Sequence, residues 1–181
     1  VIVFVTICVA IVQFSKHNLE EAKKDLQETQ EKYGWVEKES VDVLVAKFNT
    51  QVMDNDSSSL NPASTDYLTE SNNQYWYGLI DGIYLVVVPE KYTGDKTTET
   101  VNYTLLYVDK TSKYESDAIS YIKHLIKANN SEITDSEIDK LLEDAKTKTN
   151  SGKTANNGKG ISIGYIENDE AYQYQVLRLY K

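Results

Sequence analysis

The alternation of hydrophobic and polar positions divides the chain into an apolar start, a charged stretch and a longer mixed part. Residues 1–14 carry no charged side chain, and only Thr6 and Gln13 are polar. A helix that crosses a bilayer needs about 20 predominantly apolar residues, so this run is short by itself. Because the chain begins at Val1 rather than Met, we expect further apolar residues upstream. The pattern predicts that residues 1–15 are a truncated transmembrane helix or signal anchor, and no cleavage pattern of small residues favours a cleaved signal peptide.

The next segment, residues 16–34, has the pattern of an exposed helix. Mostly apolar residues recur at alternating spacings of three and four, at positions 19, 22, 26, 29, 33 and 36, which is the a/d rhythm of a coiled coil. The pairs Glu20–Lys24 and Glu28–Lys32 are spaced to stabilise a solvated helix. The segment predicts a helical stalk, which is either a short coiled coil that forms a homodimer or a single helix that lifts the domain off a membrane.

The remaining residues, 35–181, predict a single α+β domain whose elements come in blocks. Period-2 patterns predict five strands, over residues 75–79, 83–88, 100–110, 161–166 and 172–180. Period-3.6 patterns predict three helices, one from residue 36 or 40 to residue 53 and two over residues 117–128 and 134–148. Because strand runs alternate with helix runs, we predict a five-stranded, mainly antiparallel sheet. The helices, which include an αα-hairpin, are expected to pack on one face of this sheet, and a long N-terminal helix is expected to precede the domain.

Short motifs mark where these elements turn or begin. Asp81–Gly82 lies between two apolar runs and predicts a hairpin in which both residues can adopt positive φ. Thr134 and Glu137 have the spacing of a capping box, so a helix is expected to start after Thr134. The polar stretches 54–65 and 149–160 predict loops. The first begins like a calcium-binding loop but lacks the central Gly and the terminal Glu, which argues against calcium.

Composition and charge narrow the classes of function. The net charge of −9 argues against nucleic acid and against anionic lipid head groups as partners, since both require a basic surface. The hydrophobic content of 40% and the charged content of 26% are those of an ordinary globular protein. Arg178 is the only arginine, and this lysine bias is typical of AT-rich bacterial genomes.

Tyrosine is the most unusual feature of the composition, with 14 Tyr against 3 Phe. A tyrosine combines apolar area with a polar tip, so it suits either a recognition surface or the wet face of an antiparallel sheet. On the first interpretation, the aromatic residues of two predicted strands are candidates for binding a glycan or a peptide. These candidates are Tyr75, Trp76, Tyr77, Tyr172 and Tyr174.

The sequence contains little that points to catalysis. His17 and His124 are the only histidines and Cys8 is the only cysteine, so neither a zinc site nor an intrachain disulfide is expected. No nucleotide-binding or nucleophile-elbow motif occurs, and we predict no cofactor and no metal. Carboxylates are plentiful, and a paired-acid hydrolase would draw on Asp42, Asp66, Glu70, Asp81, Asp109, Glu167 and Asp169.

Together these patterns predict a non-catalytic binding module at a bacterial surface, anchored by one membrane-spanning helix, with its domain outside the cytoplasm and a protein as its partner. The main alternative is an aromatic-lined domain that binds a glycan or a peptide. A carboxylate-dependent hydrolase and a pilin-like subunit are weaker alternatives. The pilin alternative lacks the acidic residue expected near the start of the helix, and the late αα-hairpin does not fit it.

Overall fold

The computed structural model describes residues 36–54, 60–149, 153–156 and 158–178. These residues form an antiparallel sheet and three helices. The helices are α1 (Val41–Met53), α2 (Ala118–Asn129) and α3 (Asp135–Lys146). The strands are β1 (Leu68–Ser71), β2 (Gln74–Ile80), β3 (Ile83–Pro89), β4 (Val101–Asp109), β5 (Ala155–Asn156), β6 (Ile161–Glu167) and β7 (Ala171–Arg178). Short 3-10 turns at Thr65–Tyr67 and Glu115–Asp117 precede β1 and α2.

The seven strands form one sheet in the order β1-β2-β3-β4-β7-β6-β5, with every neighbouring pair antiparallel. Five of the six neighbouring pairs join strands that follow one another in the chain, and the chain leaves the sheet after β4 to make α2 and α3 before it returns. The returning hairpin β6–β7 pairs with β4, so this excursion places the two helices against the sheet.

The core lies between the helices and one face of the sheet. In α1, Leu44 and Phe48 are fully buried, and the ring of Phe48 stacks on Tyr121 of α2 with centroids 6.4 Å apart. The helix α2 packs over β4 and β7, and α3 packs over β5 and β6. On the sheet, the alternate positions that include Leu85, Leu106 and Tyr174 belong to the same buried cluster as the helices.

Two of the three helices, α1 and α3, begin at residues whose side chains cap them. Ser40 accepts a hydrogen bond from the N–H of Val43 and begins α1. Thr134 and Glu137 form the predicted capping box at the start of α3, so this prediction is confirmed. Hydrogen bonds from Thr134 and from Lys159 lower the pKa of the Glu137 carboxyl to about 2.

The prediction of five strands is wrong, because the sheet has seven strands, while the α+β character is confirmed. The missed strands are the two edges, β1 with four residues and β5 with two. Neither is long enough to show a period-2 pattern, and their partners β2 and β6 supply the hydrogen bonds that hold them extended. Asn72 and Asn73, with φ of 52° and 60°, form the tight turn that folds β1 onto β2.

The predictions of a transmembrane helix and a coiled coil are also corrected. In the described part of the chain, no helix is long and apolar enough to cross a membrane, and the longest helix has 13 residues, too few for a long coiled coil. The segments on which these predictions were based, residues 1–15 and 16–34, lie outside the described residues, as does the predicted long N-terminal helix.

Candidate functional site

The face of the sheet opposite the helices contains three lateral rows of uncharged residues. Charged residues lie at its margins, because the next position of β4 on this face is Asp109 and Lys153 lines a cavity beside Gly164 and Gln175. The register pairs Trp76 with Val86, Val86 with Leu105, and Leu105 with Gln175 across four strands. The rows on either side follow the same register. The rows are Thr69-Trp76-Val86-Leu105-Gln175-Gly164, Gly78-Tyr84-Tyr107-Gln173-Ile166 and Val88-Tyr103-Leu177-Ser162. We call this surface the open face, because no α-helix among the described residues packs on it.

Three aromatic rings form a cluster on the open face. Trp76 lies 6.1 Å from Tyr84 and 5.8 Å from Tyr107, and the two tyrosines are 6.2 Å apart, all measured between ring centroids. Each pair meets edge to face, which is a favoured arrangement for aromatic rings. Val86 is fully buried and Leu105 nearly so, although neither belongs to the core under the helices. The rings and their neighbours therefore form a small second apolar layer.

A cavity of about 560 Å³ adjoins this cluster at the end of the sheet where β2 turns into β3. Gly78 lies between two exposed tyrosines, Tyr67, which is 71% exposed, and Tyr84, which is 37% exposed. A Cβ atom at position 78 would lie 3.4 Å from the Cβ of Tyr67 and 4.0 Å from the ring of Tyr84. A side chain at position 78 would therefore occupy volume beside these two tyrosines. Tyr114 also lines the cavity.

The charged residues in the lining of the cavity are two acids and one base. Asp66 and Asp81 both line it and both are exposed. Among the described residues, neither carboxylate has a hydrogen-bond or ion-pair partner; only the backbone of these two residues is engaged. One ammonium group is present, because Lys113 lines the cavity with its Nζ 4.9 Å from the centre of the Tyr114 ring.

The predicted ligand-binding residues fall on different faces of the sheet. Tyr75, Tyr77, Tyr172 and Tyr174 face the helices and are buried, while Trp76 lies on the open face and is partly exposed. Burial raises the pKa of Tyr174 to about 12. Of the four buried tyrosines, Tyr172 borders a separate cavity of about 440 Å³ on the helix side. That these five residues bind a ligand stays a prediction, and only Trp76 belongs to the surface described above.

Tyr75 has a structural partner, the buried carboxylate of Glu99, which is 4% exposed. The Tyr75 hydroxyl donates to Glu99 Oε2 at 2.6 Å, and the Gly94 N–H and the Thr93 hydroxyl donate to Oε1 at 2.8 and 2.9 Å. Burial alone would raise the pKa of this carboxyl, but the hydrogen bonds from Tyr75, Thr93 and Gly94 outweigh it and lower the pKa below its ordinary value. Glu99 therefore fastens the loop between β3 and β4 to the sheet.

The other residues considered for chemistry do not form a catalytic or metal-binding group among the described residues. His124 is 8% exposed between α2 and α3, and burial, with Lys127 nearby, lowers its pKa. Within the described ranges, no group of three or more His, Cys, Asp or Glu side chains is arranged to hold a metal ion. Of the seven carboxylates considered for a hydrolase, Asp66 and Asp81 line one cavity.

Sequence reasoning missed the tyrosines that matter most on this surface. Tyr84, Tyr103 and Tyr107 alternate with core residues in β3 and β4, so their side chains are on the opposite face from Leu85 and Leu106. The alternation was visible in the sequence, and applying it to Trp76 separates that residue from Tyr75 and Tyr77. Tyr67 and Tyr114 gave no such signal, because they lie outside the strands and reach the cavity only through the fold.

Comparison with models of protein families, with curated proteins and with solved structures finds no significant match to this chain.

Proposed function

We propose that this protein is a non-catalytic binding module that holds an extended ligand, a peptide or a glycan chain, across the open face. The observation that carries the proposal is the absence of charge from the three central rows of this face, with Asp109 and Lys153 only at its margins, in a chain in which 26% of residues are charged. The exposed face of an antiparallel sheet ordinarily carries polar and charged side chains. Depletion of charge with enrichment of Tyr and Trp is instead the composition of an interface core.

The arrangement along the face supports an elongated ligand. Aromatic rings occupy the half formed by β2, β3 and β4, and the amides of Gln173 and Gln175 occupy the adjoining strand β7. Rings supply flat apolar contact at small cost in conformational entropy, and the glutamine amides both donate and accept hydrogen bonds. A ligand chain lying across the strands would contact the aromatic rings on β2, β3 and β4 and then the glutamine amides on β7.

A binding role agrees better with Asp66 and Asp81 than a hydrolytic one does. General acid catalysis near neutral pH needs a carboxyl group in a desolvated site, as in the paired carboxylates of glycosidases. Both side chains are solvent-exposed in this cavity. Exposed carboxylates serve directly as hydrogen-bond acceptors and as charges that attract a ligand.

The proposal is tested by screening the full chain against an array of random dodecapeptides and an array of neutral glycans. The Trp35→Phe background leaves Trp76 as the single tryptophan, whose fluorescence then reports on ligands that reach the open face. For any ligand found, we expect Tyr84→Ser and Gln173→Lys each to weaken binding by about tenfold or more, because one removes a ring and the other places a charge in the apolar surface.

The matched control is Val43→Ser, which changes an exposed apolar residue on α1, on the helix side of the sheet. Circular dichroism and melting temperature are measured for every variant to show that the fold is kept. The proposal is wrong if neither array yields a ligand, or if ligands bind equally well to Tyr84→Ser, Gln173→Lys and Val43→Ser.

A further inference from the structure

We propose that the cavity beside the aromatic cluster is a seat for a basic side chain, so that the ligand of the open face is a peptide segment carrying a lysine or an arginine. This inference rests on the proposed function, since it names the ligand class for the same surface. The inferred ligand is a peptide, and binding of a neutral glycan at the same cavity would contradict the inference.

The first step is the shape of the cavity. Its volume of about 560 Å³ lies within the roughly 300–1,000 Å³ range of small-ligand pockets, so it has room for one long side chain. Tyr67 and Tyr84 both line the cavity beside Gly78, which contributes no side chain to it. A long side chain such as that of Lys or Arg fits a cavity of this size, and its methylene stem has the apolar area of the tyrosines to cover.

The second step is the charge. Asp66 and Asp81 have no side-chain partner among the residues that the structure describes, and Lys113 is the one cation in the lining. The cavity therefore has a surplus of one negative charge in a protein of net charge −9. An incoming cation would be attracted by two carboxylates in the lining, whereas a neutral sugar would add no counter-ion to them.

A cation already lies against a tyrosine ring in this cavity. The ammonium of Lys113 lies 4.9 Å from the centre of the Tyr114 ring, within the range of a cation–π interaction. One tyrosine of the cavity thus already carries a cation on its ring. The rings of Tyr67 and Tyr84 offer the same kind of surface to a second one.

The test uses short blocked peptides that differ in one central side chain: Ac-Ala-Lys-Ala-NH2, Ac-Ala-Arg-Ala-NH2, the Gln and Glu analogues, and chitotetraose as a neutral glycan. Amide chemical shifts of the full chain are followed by NMR during each titration. We expect the Lys and Arg peptides to shift the amides of Asp66, Tyr67, Gly78 and Asp81 in a saturable way, and the Gln and Glu peptides not to do so. Raising the salt concentration from 50 to 500 mM should weaken this binding.

The decisive variant is the double substitution Asp66→Asn with Asp81→Asn, for which we expect at least about tenfold weaker binding of the Lys and Arg peptides. Its control is Glu143→Gln with Asp144→Asn, which removes the same two charges from α3, where neither side chain has a partner among the described residues. The inference is overturned if both double variants weaken binding equally, because attraction to the acidic surface as a whole would then explain it. Equal binding of the Gln peptide, or chitotetraose shifting the same amides, overturns it as well.

Failure of this inference is distinguishable from failure of the proposed function. Gln173→Lys lies on the open face outside the cavity lining. If long ligands lose affinity in Gln173→Lys and keep it in Asp66→Asn with Asp81→Asn, the open face binds the ligand but the cavity does not bind a basic side chain. If the tripeptides bind in the cavity while no long ligand loses affinity in Gln173→Lys, the cavity binds a basic side chain but the open face is not a binding surface.

Discussion

At the scale of single residues, Gly82 and Gly94 have the same backbone conformation and different surroundings. Their φ angles are 78° and 84°, in the left-handed region that favours glycine. A Cβ atom on Gly82 would lie 2.7 Å from the Cβ of Ser112, whereas a Cβ on Gly94 would have no atom within 4 Å. Ser112 is itself held in place, because its hydroxyl donates to the Asp81 carbonyl at 2.6 Å.

We therefore predict that Gly94→Ala lowers the free energy of unfolding by about 1 kcal/mol and Gly82→Ala by about 2–4 kcal/mol. The first value is the cost of placing an alanine at positive φ, and the excess in the second is the cost of displacing Ser112. Urea denaturation of both variants measures the difference. Equal losses in the two variants would mean that the turn relaxes without strain.

Two tight turns of the sheet differ in how plainly the sequence indicates them. Asp81–Gly82 was correctly expected to make a hairpin, but only Gly82 adopts positive φ, not both residues. Asn72–Asn73 has positive φ at both positions and was not assigned, although adjacent asparagines are among the residues that tolerate this conformation. Recognising this second turn would have revealed β1.

At the scale of elements, the loop between β3 and β4 is held by the buried Glu99 carboxylate. The same loop supports the start of α1, because the Val41 N–H donates to the Glu99 carbonyl at 3.0 Å and the Val101 N–H donates to the Glu39 carbonyl at 3.0 Å. One carboxylate thus links a loop, the strand that carries Tyr75 and, through the backbone, the first helix.

We predict that Glu99→Gln lowers the free energy of unfolding at pH 7 by about 1–3 kcal/mol, because an amide cannot accept all of the hydrogen bonds that the carboxylate accepts. The pKa of Glu99 is lower in the folded state than its ordinary value of 4.5. Its stabilising contribution is therefore complete above that ordinary pKa and is lost as the pH falls through the lower, folded-state pKa.

The measurement is urea denaturation of wild type and Glu99→Gln from pH 7 to pH 2.5. The difference in the free energy of unfolding between the two proteins should be constant above about pH 5.5. It should shrink below about pH 4.5, since the carboxyl group of the unfolded chain begins to bind protons there. Glu143→Gln, an exposed carboxylate on α3, is the control and should show no such gap. A gap that widens on acidification would contradict the assignment.

At the scale of the whole molecule, Arg178 joins the two ends of the described domain. Its side chain is 1% exposed, and its guanidinium donates to Glu39 Oε1 at 2.6 Å and to the Glu37 carbonyl at 3.2 Å. Glu39 is also paired with Lys47 of α1. The last strand is thereby tied to the segment that precedes the first helix, across 139 positions of sequence.

We predict that Arg178→Ala lowers the free energy of unfolding by about 1.5–3 kcal/mol, because the buried Glu39 carboxylate loses the guanidinium and keeps only Lys47 as its ion-pair partner. Arg178→Lys should recover only part of this loss, since an ammonium cannot reproduce the two contacts made by the planar guanidinium. Chemical denaturation of Arg178→Ala, Glu39→Gln and the double variant forms the test. Losses that simply add would show that the two side chains do not act as a pair.

The sequence by itself determined the local features of this protein: the three helices, the five longer strands, the capping box at Thr134 and the α+β character. These depend on periodicity and on contacts between near neighbours, which a linear pattern records. Only the tertiary structure decided the number of strands, the burial of Tyr75, Tyr77 and Tyr174, and the meeting of Asp66 and Asp81 in one cavity. The physical reason is that edge strands, faces and cavities arise from pairing between distant segments, and composition does not record which segments pair.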